Sequence, residues 1–361
     1  MIRPFWMPIL ALAAAPQSLA SAAEPEPTVI EALGRCYEEQ AALASFSGVV
    51  LARGTHGEFL RAAGFMDAAQ KSPILPDTRF RLASVQKVLT KTAIGLLADQ
   101  GRLGLDDPVG KYVAGLPEEL ASATIHQLLD HRSGAPAFTR LSPEIQTGLL
   151  NAKTTSDLVA LVASRPISFR PGERQEYSNG GYFLLGAVIE RVSGTTYGVY
   201  LQEAIFRPLG MTATTLEADS RTAAPLSRMA LDMQPASGSA IIGSYARRAT
   251  PAGDGVSTAA DLAKLGEALT GDGLLSRTTR ERLFPLRGDV WRIGQGGGTM
   301  GTNNDLAAFP DNGWVIVVLS NYDPPAGELM AEALRGVALG KGCHPLSEKD
   351  RPSRLRMRQQ S

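Results

Sequence analysis

Histidine and cysteine are scarce in this chain of 361 residues, which has four of the first and two of the second. His56, His126, His131 and His344 leave little material for a metal centre. The nearest pair, His126 and His131, is five apart around Leu128 and Leu129, not at the i, i+4 spacing of a zinc helix, and no Glu follows the first histidine in the required place. Gly-x-Ser-x-Gly is missing as well, so a Ser-His-Asp hydrolase has no nucleophile elbow to rest on. Charge of one sign is also lacking: 36 Lys and Arg face 36 Asp and Glu, which gives no basic surface for nucleic acid and no acidic tract that would argue for disorder. No apolar run reaches the ~20 residues of a membrane span, and no internal repeat is visible. These absences predict a chain with no metal, no other cofactor, no nucleic-acid partner and no membrane span.

The longest apolar run, Phe5 to Ala15, follows Arg3 and leads to Ala20-Ser21-Ala22, small residues suited to signal-peptidase cleavage. Residues 1–22 therefore read as a removable targeting segment, and the protein as exported, periplasmic or secreted. Cys36, the first cysteine, lies well past any cleavage point for a lipid anchor. Roughly 340 residues remain, enough for a large core and by length alone for two domains. Residues 347–361, with four arginines, read as a polar, disordered tail.

Chemistry enters at Leu82-Ala83-Ser84-Val85-Gln86-Lys87, which holds the only Ser-x-x-Lys of the chain and leads into a helical pattern. Residues three apart share a helix face, so a hydroxyl and an amine are held within reach of each other. A serine needs a neighbour to take its proton, and a lysine serves once its charge is suppressed. The bland alternative is a capping serine followed by a solvated lysine. Tyr177-Ser178-Asn179 follows the Pro171-Gly172 turn signal and is the only Tyr-x-Asn. A phenol beside an ammonium can carry a proton between nucleophile and leaving group, and an amide can orient the lysine or a substrate carbonyl; otherwise Tyr177 is an amphipathic tyrosine on a loop. Gly294-Gln295-Gly296-Gly297-Gly298-Thr299 is a glycine run in strand-like sequence, a place where a substrate or another backbone comes close, or else a bulge. No Lys-Ser or Lys-Thr pair follows it, which argues against a phosphate cradle.

The periodicity around these motifs has a simple order. Ile30, Leu33, Cys36, Tyr37 and Ala41 recur at helical spacing, and then Phe46 to Arg53 and Glu58 to Asp67 read as strands joined through Gly54-Thr55-His56-Gly57. Near the other end, Asp305 to Pro310 and Trp314 to Leu319 flank Asp311-Asn312-Gly313, a hairpin signal, and Glu328 to Leu339 reads as a closing helix. Between them helical patterns dominate, among them Val88 to Ala98 and Tyr182 to Val192.

Taken in order, the three motifs resemble the serine beta-lactamase and penicillin-binding-protein superfamily in its class C-like branch, which includes D-alanyl-D-alanine carboxypeptidases and beta-lactamase-like esterases. The resemblance runs from about Phe46 to Asn321 and takes in connecting stretches: Pro76 to Ser84, Thr124 to Gly134, Phe169 to Gly172, Pro251 to Thr258 and Val317 to Tyr322. It implies an α+β fold, an α/β sandwich of residues 28–82 and 251–343 whose antiparallel sheet is flanked by the N- and C-terminal helices, with an all-helical lobe, residues 83–250, inserted. It implies Ser84 as acylated nucleophile, Lys87 as its base, Tyr177 as proton relay, Asn179, Gln295 and Gly297 as substrate-positioning residues, and the backbone NH groups of Ser84 and Gly298 as the oxyanion hole. His131 is implied to be a packing residue.

One motif departs from the family pattern: Gln295-Gly296-Gly297 stands where the lactamases have Lys-Thr-Gly. A charged contact is roughly twice as strong as a neutral one, so an uncharged Gln295 and a Gly296 without hydroxyl disfavour carboxylate-bearing penicillins. An exported serine hydrolase acting on a small ester, amide or peptide, an esterase or D-amino-acid peptidase, is the expectation; a slowly acylating or non-catalytic binder of cell-wall or beta-lactam-like ligands, a beta-lactamase and an acyltransferase are the alternatives. Cys36 and Cys343 lie in elements that the family fold packs on one face of the sheet. They are a bridge pinning the chain ends or two buried free thiols, and the undetermined helix register leaves both open.

Overall fold

The computed structural model describes residues 28–43, 46–67, 72–139, 142–216, 249–286, 288–299 and 301–345. Residues 1–22, read above as a targeting segment, residues 347–361, read as a tail, and part of the inserted region lie outside them. Strands from both ends of the chain form one sheet: β1 (Gly48–Gly54), β2 (Gly57–Ala63), β3 (Ile293–Thr299), β4 (Thr302–Phe309) and β5 (Trp314–Ser320) in the order β2-β1-β5-β4-β3, every pair antiparallel. Five helices cover this sheet or carry site residues: α1 (Val29–Leu43), α2 (Lys87–Asp99), α3 (Asn179–Ser193), α4 (Ala259–Thr270) and α5 (Ala326–Ala338). The fold is α+β.

Both faces of the sheet are covered, which explains why β5 at its centre is apolar at every position from Trp314 to Leu319. Alternate residues point to opposite faces. Val50, Ala52, Ile316 and Val318 meet Leu33 and Tyr37 of α1 and Met330 and Leu334 of α5. Val49, Leu51, Val315, Val317 and Leu319 meet the larger core that contains α2, α3 and α4. The hairpins form where the turn residues predict them: Gly54 pairs with Gly57, and Gly313, at φ 68°, closes the turn between β4 and β5.

The second predicted strand is broken. Gly64 takes φ 84° and lies so close to Ser47 that a side chain there would strike it, so β2 stops at Ala63 and Phe65–Asp67 pairs instead with Ser72–Pro73. Strand β4 begins at Thr302, three residues earlier than its apolar pattern. Its Asp305 is buried between Arg292 at 2.6 Å and Arg335 at 2.8 Å. Burial alone would raise the pKa of this carboxyl, but the two guanidiniums outweigh burial and hold it below its ordinary value. No helix among the described residues is long and apolar enough to cross a membrane.

Cys36, buried on α1, and Cys343, just past α5, are joined in a disulfide with their Cα atoms 5.5 Å apart. The bridge spans 307 residues of sequence, and chain-entropy models give such a closure a stabilisation of order 5 kcal/mol, with measured values often smaller. Thiol titration of the unreduced, denatured protein should find neither cysteine free, and Cys36→Ser with Cys343→Ser should lower the thermal midpoint by several degrees. Two reactive thiols, or an unchanged midpoint, would contradict this.

Candidate active site

The turn that carries Ser84 is fixed by neighbours on three sides. Residues Ala83–Gln86 form one turn of 3-10 helix that runs into α2, so Ser84 precedes the helix proper and Lys87 is its first residue. Ala83 holds φ 45°, a conformation rare outside glycine, and its carbonyl accepts the Asp254 N–H at 3.3 Å. Leu82 N–H donates to Gly255 O at 2.7 Å, while the Arg81 carbonyl accepts Asn304 Nδ2 at 2.6 Å. On the third side lies the edge strand β3. A Cβ at Gly297 would fall 2.7–2.8 Å from Val85 N, Leu82 O and Ser84 N, so only glycine lets the strand approach the turn this closely.

Segment 250–255 is stitched to α2 and the turn before it by two inward-facing side chains. Gln86 Nε2 donates to Thr250 O at 2.8 Å and its Oε1 accepts the Gly255 N–H. Thr90 Oγ1 donates to Pro251 O at 2.7 Å. This places the Ala252 carbonyl over Lys87, whose Nζ donates to it.

Tyr177 and Asn179 arrive from the start of α3. Ser178 caps the helix, its Oγ accepting Gly181 N–H at 3.0 Å and donating to Pro136 O at 2.9 Å. Asn179 N–H donates to Ala137 O at 2.9 Å, and Asn179 Nδ2 to Phe138 O at 3.3 Å. The Asn179 amide is thereby oriented with its oxygen toward the amine.

Ser84, Lys87, Tyr177 and Asn179 converge. Ser84 Oγ lies 2.6 Å from Tyr177 Oη and 3.1 Å from Lys87 Nζ, and Lys87 Nζ donates to Asn179 Oδ1 at 2.9 Å. Lys87 is fully buried among neutral acceptors, and the Tyr177 and Tyr182 rings lie 4.9 and 5.2 Å from its nitrogen. Removal from water pushes its pKa down to about 7, and the Asp254 carboxylate opposes that fall. Asp254 itself is raised by burial against the pull of Arg81 and Lys87. Gln295 is half-buried on β3 and turns its Nε2 back to Gly296 O at 3.0 Å, while Gly298, the next residue after Gly297, stays exposed at the strand edge.

Sequence reasoning gave no role to Asp254 or the Ala252 carbonyl. The visible signal was a non-glycine inside Gly253-Asp254-Gly255, held at φ 74°. The packing reading of His131 is incomplete, because its ring also accepts a hydrogen bond from Ser178 N–H.

Known proteins share much of this chain's pattern. The profile of the family described as Beta-lactamase matches residues 34–339. Penicillin-binding protein 4* of Bacillus subtilis is 33% identical over 198 residues, 52% of this chain and 40% of that protein. Esterase EstB of Burkholderia gladioli is 35% identical over 180 residues, 45% of each chain. The chain thus spans under half the length of these curated relatives. A penicillin-binding protein from Bacillus halodurans superposes with a TM-score of 0.68 at 26% identity, covering 83% of this chain and 98% of that one.

An unprotonated Lys87 can accept the Ser84 proton, and with a pKa of about 7 the amine is mostly neutral above that pH and mostly charged below it. The rate of Ser84 acylation should therefore rise with pH along a limb centred near 7. Asp254→Asn, which removes a charge favouring the ammonium, should move that limb to lower pH. A flat profile in stopped-flow acylation would remove Lys87 as the titrating base.

Proposed function

We propose, for a chain that belongs to the beta-lactamase family by its match over residues 34–339, that it is an exported serine hydrolase working through an acyl-enzyme on Ser84. The observation that carries the reading is the placement of the hydroxyl of one half-buried serine between a phenol at 2.6 Å and a fully buried amine at 3.1 Å. A neutral Lys87 keeps two N–H donors for Asn179 Oδ1 and the Ala252 carbonyl and turns its lone pair to Ser84. Ser84 Oγ attacks the acyl carbon as its proton passes to Lys87. Collapse of the tetrahedral intermediate expels the alcohol or amine, which takes a proton through Tyr177, and leaves an ester on Ser84. Water then attacks that ester by the reverse sequence and frees the acid. The backbone NH groups of Ser84 and Gly298 are assigned to the oxyanion, a role that needs no side chain.

Substrate class follows from the edge strand. Gln295 offers an amide and Gly296 no side chain, so the strand brings no cation to a substrate carboxylate. We assign carboxylate-free esters first, in line with the resemblance to an esterase, then D-amino-acid amides or peptides, with penicillins last.

A fluorophosphonate should form one adduct, at Ser84, seen by intact mass and lost in Ser84→Ala. Lys87→Ala and Tyr177→Phe should each slow acylation by about two orders of magnitude or more, the scale of positioned acid-base groups. A panel of short and long acyl esters, D-alanyl peptides and a chromogenic cephalosporin separates the substrate classes. Turnover of none of them, with labelling intact, would favour a slowly acylating binder.

Gln295→Lys with Gly296→Thr should raise turnover of penicillin-like or D-alanyl substrates relative to a simple ester. The strand has room for it, since a Cβ at Gly296 meets nothing closer than Asp305 Oδ2 at 3.6 Å. An unchanged ratio would place carboxylate recognition elsewhere.

A further inference from the structure

We propose that His131 is a positioning residue that sets the Tyr177 phenol against Ser84 by fixing the backbone on either side of it. His131 holds φ 57°, a left-handed conformation uncommon for a residue with a Cβ. From there it reaches three consecutive residues. Its carbonyl accepts Glu176 N–H at 2.9 Å, and its Nδ1 accepts Ser178 N–H at 3.2 Å. Between those two anchors the Tyr177 ring lies on the imidazole, centroids 4.6 Å apart and planes inclined by 35°.

A further contact of the imidazole extends the same device. Tyr182, fully buried, lies 5.2 Å from the His131 ring and donates its hydroxyl to Leu129 O at 3.1 Å. Tyr177 and Tyr182 are also the two rings beside Lys87 Nζ. His131 therefore spaces the pair of aromatic rings that flank the amine. Since Ser178 N–H is the donor, Nδ1 carries no proton, and a residue that only filled space would not need that acceptor. A phenol 2.6 Å from its partner has little tolerance for backbone drift, and misplacement by about 1 Å can cost on the order of a hundredfold in rate.

The inference rests on the reading of Ser84 as an acylated nucleophile, so fluorophosphonate labelling of the wild-type chain at Ser84 is measured first. Ester kcat, KM and labelling rate are then compared for His131→Gly, His131→Asn, Tyr177→Phe and the double variant His131→Gly with Tyr177→Phe. Glycine adopts the left-handed backbone without strain but lacks ring and acceptor. Asparagine tolerates that backbone and places Oδ1 where Nδ1 stood. His131→Gly should lower kcat and labelling about tenfold or more with KM within about threefold, and His131→Asn should return to within about threefold of wild type. Adding His131→Gly to Tyr177→Phe should cost no further rate, because both act through the one phenol.

Wild-type kcat in His131→Gly would overturn the inference, as would losses that multiply in the double variant, or a His131→Asn as slow as His131→Gly at equal thermal stability. Should His131→Gly not fold, His131→Phe, which keeps a ring between the two tyrosines but lacks the acceptor, takes its place in the cycle. A wild-type chain unlabelled at Ser84 overturns the proposed function and this inference together, whereas labelled wild type with an unaffected His131→Gly overturns the inference alone.

Discussion

The burial of one amine organises the site. Lys87 is removed from water without a carboxylate in hydrogen-bond contact, and its partners are a hydroxyl, a side-chain amide and a backbone carbonyl. A buried ammonium unpaired in this way is costly, and the group responds by giving up its proton more readily. Those three acceptors come from three separate parts of the chain: the turn before α2, the start of α3 and segment 250–255. The amine keeps its environment only while all three are held in place, and much of the polar bonding around the site does that holding. Gln86 and Thr90 tie segment 250–255 to α2. Ser178 and Asn179 tie the start of α3 to the carbonyls of Pro136, Ala137 and Phe138.

The sheet supplies the remaining wall. Its edge strand can close on the turn that carries Ser84 because Gly297 lacks a side chain, and that approach brings a row of backbone groups beside Ser84. The rest of the sheet is covered on both faces, so the edge is set by two cores at once. The Cys36–Cys343 bridge closes the outer layer by joining the elements that begin and end the fold. A discontinuous sheet of this kind depends on long-range pairing: β1 belongs to the N-terminal part of the chain and pairs with β5 from the C-terminal part.

Strain is placed beside the chemistry. Ala83, His131, Phe138 and Asp254 are the non-glycine residues described with positive φ, and each lies within a segment that contacts the site. Ala83 precedes Ser84, and Asp254 N–H donates to the Ala83 carbonyl. His131 and Phe138 hold the start of α3. Such conformations persist where the surroundings over-determine them, and here they bring hydroxyl and amide onto one amine and the phenol onto the hydroxyl.

Local spacing was enough to read Ser84 with Lys87 and Tyr177 with Asn179, because residues two or three apart keep a relation that the backbone itself enforces. Hairpin turns at Thr55-His56 and Asp311-Asn312-Gly313, the helices and the alternating strands were legible for the same reason. The break at Gly64 was not, since it depends on Ser47 lying against it. The Ala252 carbonyl, the Asp254 charge and the acceptor nitrogen of His131 were hidden for the same physical cause. Each acquires its role from a partner distant along the chain, and only folding brings the pair together. Sequence alone determined which groups are available for chemistry and how far apart they sit along the backbone. Tertiary structure decided how dry the amine is and what faces it, because desolvation and hydrogen-bond geometry belong to the packed surroundings and not to any single segment.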